Sequence, residues 1–338
     1  MNVPTIKDRV VQMAVLLVVE PIFEADLPPE QYAYRAGRSA HDAVTCVEKL
    51  IGIGHREIVD ADLSGYFDSI PHAELLRSVA RRIADGTVLQ LIKRWLVASV
   101  EEETVPGQRR RTSRNKDAGR GTPQGAPISP LLSNLYMRRF ILGWKTLGHE
   151  QRLDAHIVNY ADDFVICCRG TADKALAAMR TMMQRLKLVV NEAKTHICRL
   201  PEETFDFLGF TFGLYHSPRT QKASLQSWPS GKRVARLCAT ISEMTGRQYL
   251  WREDSEQVAL LNRTLVGWRS YFARGMFWKA FRCVDRHVWY RLRRWLCRKH
   301  KVRGSGGHTW PLEHLYGVLG LVSLERTAPR IGFSRAKS

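Results

Sequence analysis

Apolar positions fall into two kinds of run along this chain. Some recur at helical spacing over ten or more residues; others are short, rich in β-branched residues and bounded by turn formers. The first kind predicts a largely buried helix from Val10 to Phe23, ended before Pro28-Pro29. Tyr34 to Ser39 reads as a turn, and Ser39 is placed to N-cap a helix running to Leu50. Further helices are predicted at His72–Ile83 and Thr87–Ala98, parted by Asp85-Gly86, at Pro130–Thr146 and at Ala172–Leu188. Strand-like runs occupy Ile58–Leu63, Ala155–Val158, Phe164–Cys168, Thr195–Leu200 and Phe205–Phe212. Val100–Arg120 reads as a hairpin with an Arg-rich loop (Arg109, Arg110, Arg111, Arg114). That order predicts an α+β domain, its sheet carrying helices on one face.

Gly213, Pro218, Pro229 and Gly231 make residues 213–231 read as a linker. Beyond it the pattern is helical: Lys232–Met244, Glu256–Ala273 and Phe277–Lys301. On the last of these, Phe277, Phe281, Val284, Val288, Leu292 and Trp295 share one face, and Lys279, Arg282, Arg286 and Arg293 lie opposite.

Charge sharpens this division. The 338 residues carry a net charge of +19, which points to a polyanionic partner. Residues 213–338 hold 24 Lys and Arg against 7 Asp and Glu, leaving 28 against 26 in residues 1–212. The C-terminal part also holds 7 of the 9 Trp, a basic and aromatic composition suited to nucleic acid. The seven Cys form no CxxC pair, and His72, His156 and His196 are scattered, so neither disulfides nor a zinc site is expected. The apolar run Met13–Val19 is too short to span a membrane, and its flanks do not read as a signal peptide.

The candidate chemistry lies in the nearly neutral part. Tyr160-Ala161-Asp162-Asp163 sits between two apolar runs and predicts a hairpin with two carboxylates at its tip. Ile58–Leu63 is a second strand bearing carboxylates. Three carboxylates on two strand ends suit two Mg²⁺ ions about 3.5–4 Å apart, the spacing for in-line displacement at phosphorus. Asp60 and Asp62 share a strand face, so periodicity leaves open which of them is the ligand.

Asp60–His72, Gly121–Asn134, Tyr160–Asp163, Asn191–Thr195 and Phe207–Phe210 occur in the order and spacing of successive palm motifs, and Leu265–Phe272 follows them. On these residues the chain resembles the group II intron reverse transcriptase/maturase family of the bacterial type. The resemblance implies a right-hand polymerase palm (antiparallel sheet with helices), partial fingers and an all-α thumb/maturase domain. Expected boundaries are 1–55 for partial fingers, 56–212 for palm, 213–231 for linker and 232–338 for thumb/maturase.

The resemblance also implies roles. Asp62, Asp162 and Asp163 would bind two Mg²⁺, with the Leu63 carbonyl as a further ligand. Lys194 would protonate the leaving pyrophosphate. Phe67 would reject a ribose 2′-hydroxyl, although on composition alone an aromatic in such a run is read as a core ring. Gln124 would contact the incoming nucleotide, and Leu208, Gly209 and Phe210 would form the primer grip. Arg282, Arg286 and Arg293 are the expected RNA-binding residues. Implied partners are group II intron RNA, an RNA template with DNA primer, and deoxynucleoside triphosphates, in the cytoplasm and without a membrane. Three departures are noted. The chain opens within an early fingers block, Ala33 and Ala36 stand where the family commonly has Gly and Pro, and no Cys/His-bearing endonuclease motif follows Lys301. The expected function is RNA-directed DNA synthesis with help to intron splicing. Two alternatives are a maturase that binds RNA without polymerising and a related reverse transcriptase with a defence role.

Overall fold

Val59 and Ile58 are fully buried in a five-residue strand, β1 (Glu57–Ala61), around which the N-terminal part is organised. The computed structural model describes residues 4–98, 100–105, 108–112, 117–123, 125–216 and 223–327. The chain divides into two compact units, Met1–Leu208 and Gly209–Ser338.

In the first unit, β2 (Val100–Val105) and β3 (Gln108–Thr112) form a separate hairpin, so positions 109–111 belong to a strand and not to its loop. Arg114 lies outside the described residues. The main sheet adds β4 (Ala155–Tyr160), β5 (Asp163–Cys168) and β6 (His196–Arg199) in the order β4-β5-β1-β6. All three pairings are antiparallel, with Ala61 opposite Phe164 and Asp60 opposite His196.

Phe164 to Cys168 are all buried, which explains an apolar run without alternation. Phe164, Ile166 and Cys168 join the core with Ala175 and Met179 of the helix Ala172–Arg185. Cys167 senses Cys46 of the helix Ala40–Gly52, which covers the other face. The expectation of helices on one face is therefore corrected: a central strand this apolar needs cover on both. The helix Ser129–Thr146 is a further part of the core, burying Leu132, Tyr136, Phe140 and Trp144. Ser39 and Asp42 form the reciprocal cap that starts the helix at Ala40.

The first helix, Ile6–Glu24, departs from expectation. Only Gln12, Val19 and Phe23 are buried, while Val10, Leu17 and Val18 are 64%, 67% and 68% exposed. Its apolar residues are spread around the helix, and one narrow stripe of it meets the core. No helix among the described residues is long and apolar enough to cross a membrane.

Beyond β7 (Phe205–Phe207), Leu208 and Gly209 have φ of +51° and +84°, and this left-handed pair breaks the strand expected over Phe205–Phe212. In the second unit, β8 (Phe210–His216) pairs antiparallel with β9 (Ala223–Pro229), Thr211 lying opposite Trp228. The segment expected as a linker is thus largely paired strand. Pro229 falls at the last position of its strand, where a missing N–H is tolerated.

Helices Gly231–Met244, Asp254–Phe272 and Trp278–Lys299 follow. Phe277, Phe281, Val284, Val288, Leu292 and Trp295 are all buried, as their spacing predicts. Asp285, on the same helix, is also buried. Its carboxylate accepts from Ser323 Oγ (2.8 Å), Leu324 N (2.9 Å) and Glu325 N (3.0 Å), tying the chain near its C-terminus to this helix.

Asp285→Ala strands those donors, and hydrogen bonds to a charged group are worth about 1.5–3 kcal/mol each. The expected outcome is a loss of at least about 3 kcal/mol, read as an earlier urea midpoint. A midpoint equal to wild type would mean that this network does not hold the unit together.

Candidate active site

Asp62 follows β1 by one residue. Its N–H donates to Thr195 Oγ1 (3.3 Å) and its carbonyl accepts from Asn191 N (2.8 Å). Asn191 Nδ2 donates to Asp62 Oδ2 (2.9 Å), and Lys194 Nζ lies 3.3 Å from the same oxygen. The loop after the helix Ala172–Arg185 therefore fixes this carboxylate from one side and sets a cation against it.

The other two carboxylates come from the β4–β5 hairpin. Tyr160 pairs with Asp163, leaving Ala161 and Asp162 as a two-residue tip. Ala161 adopts φ +59°, the left-handed backbone that such a tight turn requires. Asn159, buried after the apolar pair Ile157-Val158, donates from Nδ2 to the Ala161 carbonyl (2.8 Å) and the Asp163 carbonyl (3.3 Å). That polar residue after an apolar pair was the one sequence signal for its role. Asp162 and Asp163 are both exposed.

β1 pairs β5 with Ala61 opposite Phe164, so one step further sets Asp62 level with Asp163. Ser64 N donates to Val189 O (2.9 Å), so the Asp62 carbonyl and the Ser64 N–H both face residues 189–191. Strand carbonyls alternate in direction, which turns the Leu63 carbonyl towards the β5 side.

Asp60 differs from Asp62. Burial, reinforced by Asp163, Asp206 and Asp62, pushes its carboxyl up to about 6, against the opposing pull of His196. His196 Nε2 stands 4.0 Å from Asp60 Oδ2. Asp62 is the carboxylate at the strand end, beside the hairpin tip. Tyr34, not singled out by sequence, belongs to this neighbourhood: burial, then the charge of Asp162, raises its phenol.

Phe67 is partly buried against the core, and its carbonyl accepts from Thr122 N (2.8 Å). It thereby anchors the loop leading to Gln124, which itself lies outside the described residues.

Gly209 and Phe210 open the second unit. A Cβ on Gly209 would meet Arg233 Nε at 3.1 Å, and Phe210 packs on Tyr271 and Phe272. The expected basic stripe is not uniform. Arg286 is exposed, Arg282 is exposed but paired with Glu325 (2.7 Å), and Arg293 is turned inward. Arg293 donates to the Trp310 carbonyl (2.9 Å) and covers the Trp289 ring at 4.7 Å. Beside it a cavity of about 690 Å³ is lined by Trp289, Tyr290, Arg294, Arg298 and Lys301. Burial, then the charges of Arg294, Arg247 and Arg291, lowers the affinity of Arg298 for its proton.

The histidines require a correction. His156 is not isolated: it gathers with His55 and Asp154, 99 residues apart in sequence, at the sheet end remote from Asp162.

Comparison with known proteins bears on both units. Residues 1–212 match the family profile "Reverse transcriptase (RNA-dependent DNA polymerase)", and residues 234–315 match "Group II intron, maturase-specific domain". Protein YkfC of Escherichia coli (strain K12) is 31% identical over 244 residues, covering 62% of this chain and 61% of that protein. Group II intron-encoded protein LtrA of Lactococcus lactis subsp. cremoris is 33% identical over 148 residues, covering 43% of this chain and 23% of that protein. This chain thus matches 61% or less of the length of these relatives. Among solved structures, apo telomerase from Candida tropicalis gives a TM-score of 0.46 at 11% identity, covering 89% of this chain and 50% of that one.

Asn159→Ala removes two hydrogen bonds that fix the hairpin tip. The expected cost is about 1–3 kcal/mol of stability, read by thermal melting. An unchanged melting temperature would mean that the Ala161 turn is held by other contacts.

Proposed function

This chain belongs to the reverse transcriptase (RNA-dependent DNA polymerase) family and is of the group II intron maturase type; from that premise we propose that it synthesises DNA on an RNA template and binds group II intron RNA. The observation that carries the first half is the β1–β5 register, which sets Asp62 level with Asp163. Residues 1–55 act as fingers in this reading, residues from 56 as palm and the second unit as thumb and maturase domain. The substrates are deoxynucleoside triphosphates and an RNA template with DNA primer, in the cytoplasm.

Members of this family use divalent metal ions. The donor set fits Mg²⁺, because carboxylate and carbonyl oxygens are its ligands and several of its positions stay with water and phosphate. Asp62, Asp162, Asp163 and the Leu63 carbonyl would hold two ions. When bound, these lower the cost of ionising the primer 3′-hydroxyl and neutralise charge on the leaving pyrophosphate.

The protein's own part is positioning and proton transfer. Asn191 and Thr195 hold Asp62 in place, and Asn159 holds the tip that carries Asp162 and Asp163. The primer 3′-oxygen bonds to the α-phosphorus as the bond to pyrophosphate breaks. Lys194 gives its proton to that leaving group. Phe67, packed on the core through part of its ring, presents the rest beneath the ribose of the incoming nucleotide, which Gln124 contacts. Leu208, Gly209 and Phe210 receive the primer strand.

RNA binding draws on the second unit. Aromatic rings beside guanidinium groups suit an unstacked base with its phosphates. The crowding of Arg298 by other cations favours a polyanion there. Arg286 remains a candidate phosphate contact, whereas Arg282 and Arg293 must first give up their internal partners. Binding of intron RNA without polymerisation is the competing reading, and primer extension separates the two.

Asp163→Asn keeps the shape of the hairpin but removes a charge. Extension of a DNA primer on an RNA template should fall by several orders of magnitude, while circular dichroism stays unchanged. Near-normal extension would remove this site from the reaction. For the second unit, Arg294→Gln with Arg298→Gln should make the slope of log affinity against log salt shallower by about 1–1.5, at about 0.7 per single-stranded phosphate contact. An unchanged slope in a folded variant would exclude the cavity from RNA binding.

A further inference from the structure

The sheet has a second cluster of ligating atoms at the end opposite the carboxylate tip. His55 precedes β1, and Asp154 and His156 stand at the start of β4. Asp154 Oδ1 lies 3.0 Å from His55 Nε2 and 3.4 Å from His156 Nε2, so two imidazoles converge on one oxygen. One ligand atom from each of the three residues lies within 4.8 Å of the others. His55 is almost wholly buried, and Nε2 is its partnered nitrogen, Nδ1 having no partner among the described residues. The rings of His55 and His156 meet edge to face at 4.9 Å.

Two features go beyond a hydrogen-bonded pair. In a tetrahedral zinc site with bonds of about 2.0–2.2 Å, neighbouring ligand atoms stand about 3.3–3.5 Å apart; 3.0 and 3.4 Å are close to that. His156 turns its other nitrogen, Nδ1, towards Glu150 Oε1 at 3.7 Å. A carboxylate behind a ligating imidazole is the usual outer support of such a ligand. The Asp154 oxygen that faces away from the cluster, Oδ2, is engaged by Arg169 Nε (3.6 Å).

We propose that His55 Nε2, Asp154 Oδ1 and His156 Nε2 bind one divalent transition-metal ion of the zinc class, with a fourth position open to water. Two imidazole donors select such an ion over Mg²⁺, which prefers oxygen alone. The site is distinct from the carboxylate tip in place and in ligand chemistry. Its location gives it a structural consequence. β5 lies between β1 and β4 in the sheet, with Glu57 and Ala155 flanking Cys168. An ion held by His55 and His156 staples the two strands that flank β5 across the end of the sheet. This inference does not depend on the proposed reaction.

Co²⁺ is the probe, because tetrahedral Co²⁺ absorbs visible light with an intensity that octahedral Co²⁺ lacks. The full chain, stripped with chelator, is titrated with Co²⁺ and then with Zn²⁺, while the melting temperature is followed. The expected result is one Co²⁺ per chain with a tetrahedral spectrum, displacement by Zn²⁺, and a rise in melting temperature on binding. His156→Ala, at a half-exposed position, should abolish the spectrum and the rise. Glu150→Gln should weaken binding by about tenfold or more, and Asp163→Asn should leave it intact. Absence of a tetrahedral spectrum in the wild type would overturn the proposal. So would its persistence in His156→Ala, or in Asp154→Asn should the first variant fail to fold.

Discussion

The antiparallel register of β1 against β5 is the constraint that the N-terminal unit serves. Carboxylates repel one another, and nothing local draws Asp62 to a turn a hundred residues later. What brings them level is the backbone ladder from Glu57–Cys168 to Ala61–Phe164, locked by burial of Ile58, Val59 and every residue from Phe164 to Cys168. A slip of one residue would turn each of these side chains to the wrong face, and the helices on both faces forbid it. Asn159 and the left-handed Ala161 then shape the last few ångströms, and Asn191, Lys194 and Thr195 answer from the other side.

Much of this was legible because local signals agreed. Two acids between two apolar runs read as a hairpin tip, and the stripe from Phe277 to Trp295 read as a buried helix face. Choice between Asp60 and Asp62 was not legible, since a period of two treats them alike. Where β1 ends, and the pairing of residues 189–191 beyond it, set Asp62 and not Asp60 level with the hairpin tip, which supports the proposed choice of Asp62. The segment 213–231 differs from the expected linker because Gly213 sits inside β8 and Pro229 closes β9, positions that a count of glycines and prolines does not distinguish from a loop. The run Val10–Phe23 reads as largely buried because most of its positions are apolar, but apolar residues spread around a helix do not say which side meets the core. His55, Asp154 and His156 become neighbours only through the pairing order β4-β5-β1, which no local pattern encodes.

The second unit follows a different logic. Its core mixes Leu and Val with Phe272, Phe277, Phe281 and Trp295, and the unit carries a large excess of cations. Some of those cations are consumed internally, as Arg293 is by Trp310 and Trp289, and Arg291 by Ser242 and Thr245. Net charge alone therefore overstates the surface free for an anion. The more informative feature is crowding, where Arg298 stands among like charges with aromatic rings beside it.

β1 also has a consequence for how the chain is made. Both of its sheet partners lie more than a hundred residues downstream, with Glu57 pairing Cys168 on one side and Arg199 on the other. At about 5–20 residues per second of synthesis, β1 waits roughly 5–30 s with both edges open and Ile58 and Val59 unburied. The backbone hydrogen bonds of helices 40–52 and 129–146 are local, so these segments can close before the sheet does. The four-stranded sheet is a late, non-local closure, and the nascent chain presents an unpaired apolar strand to chaperones, or to other nascent chains, until β6 has left the ribosome.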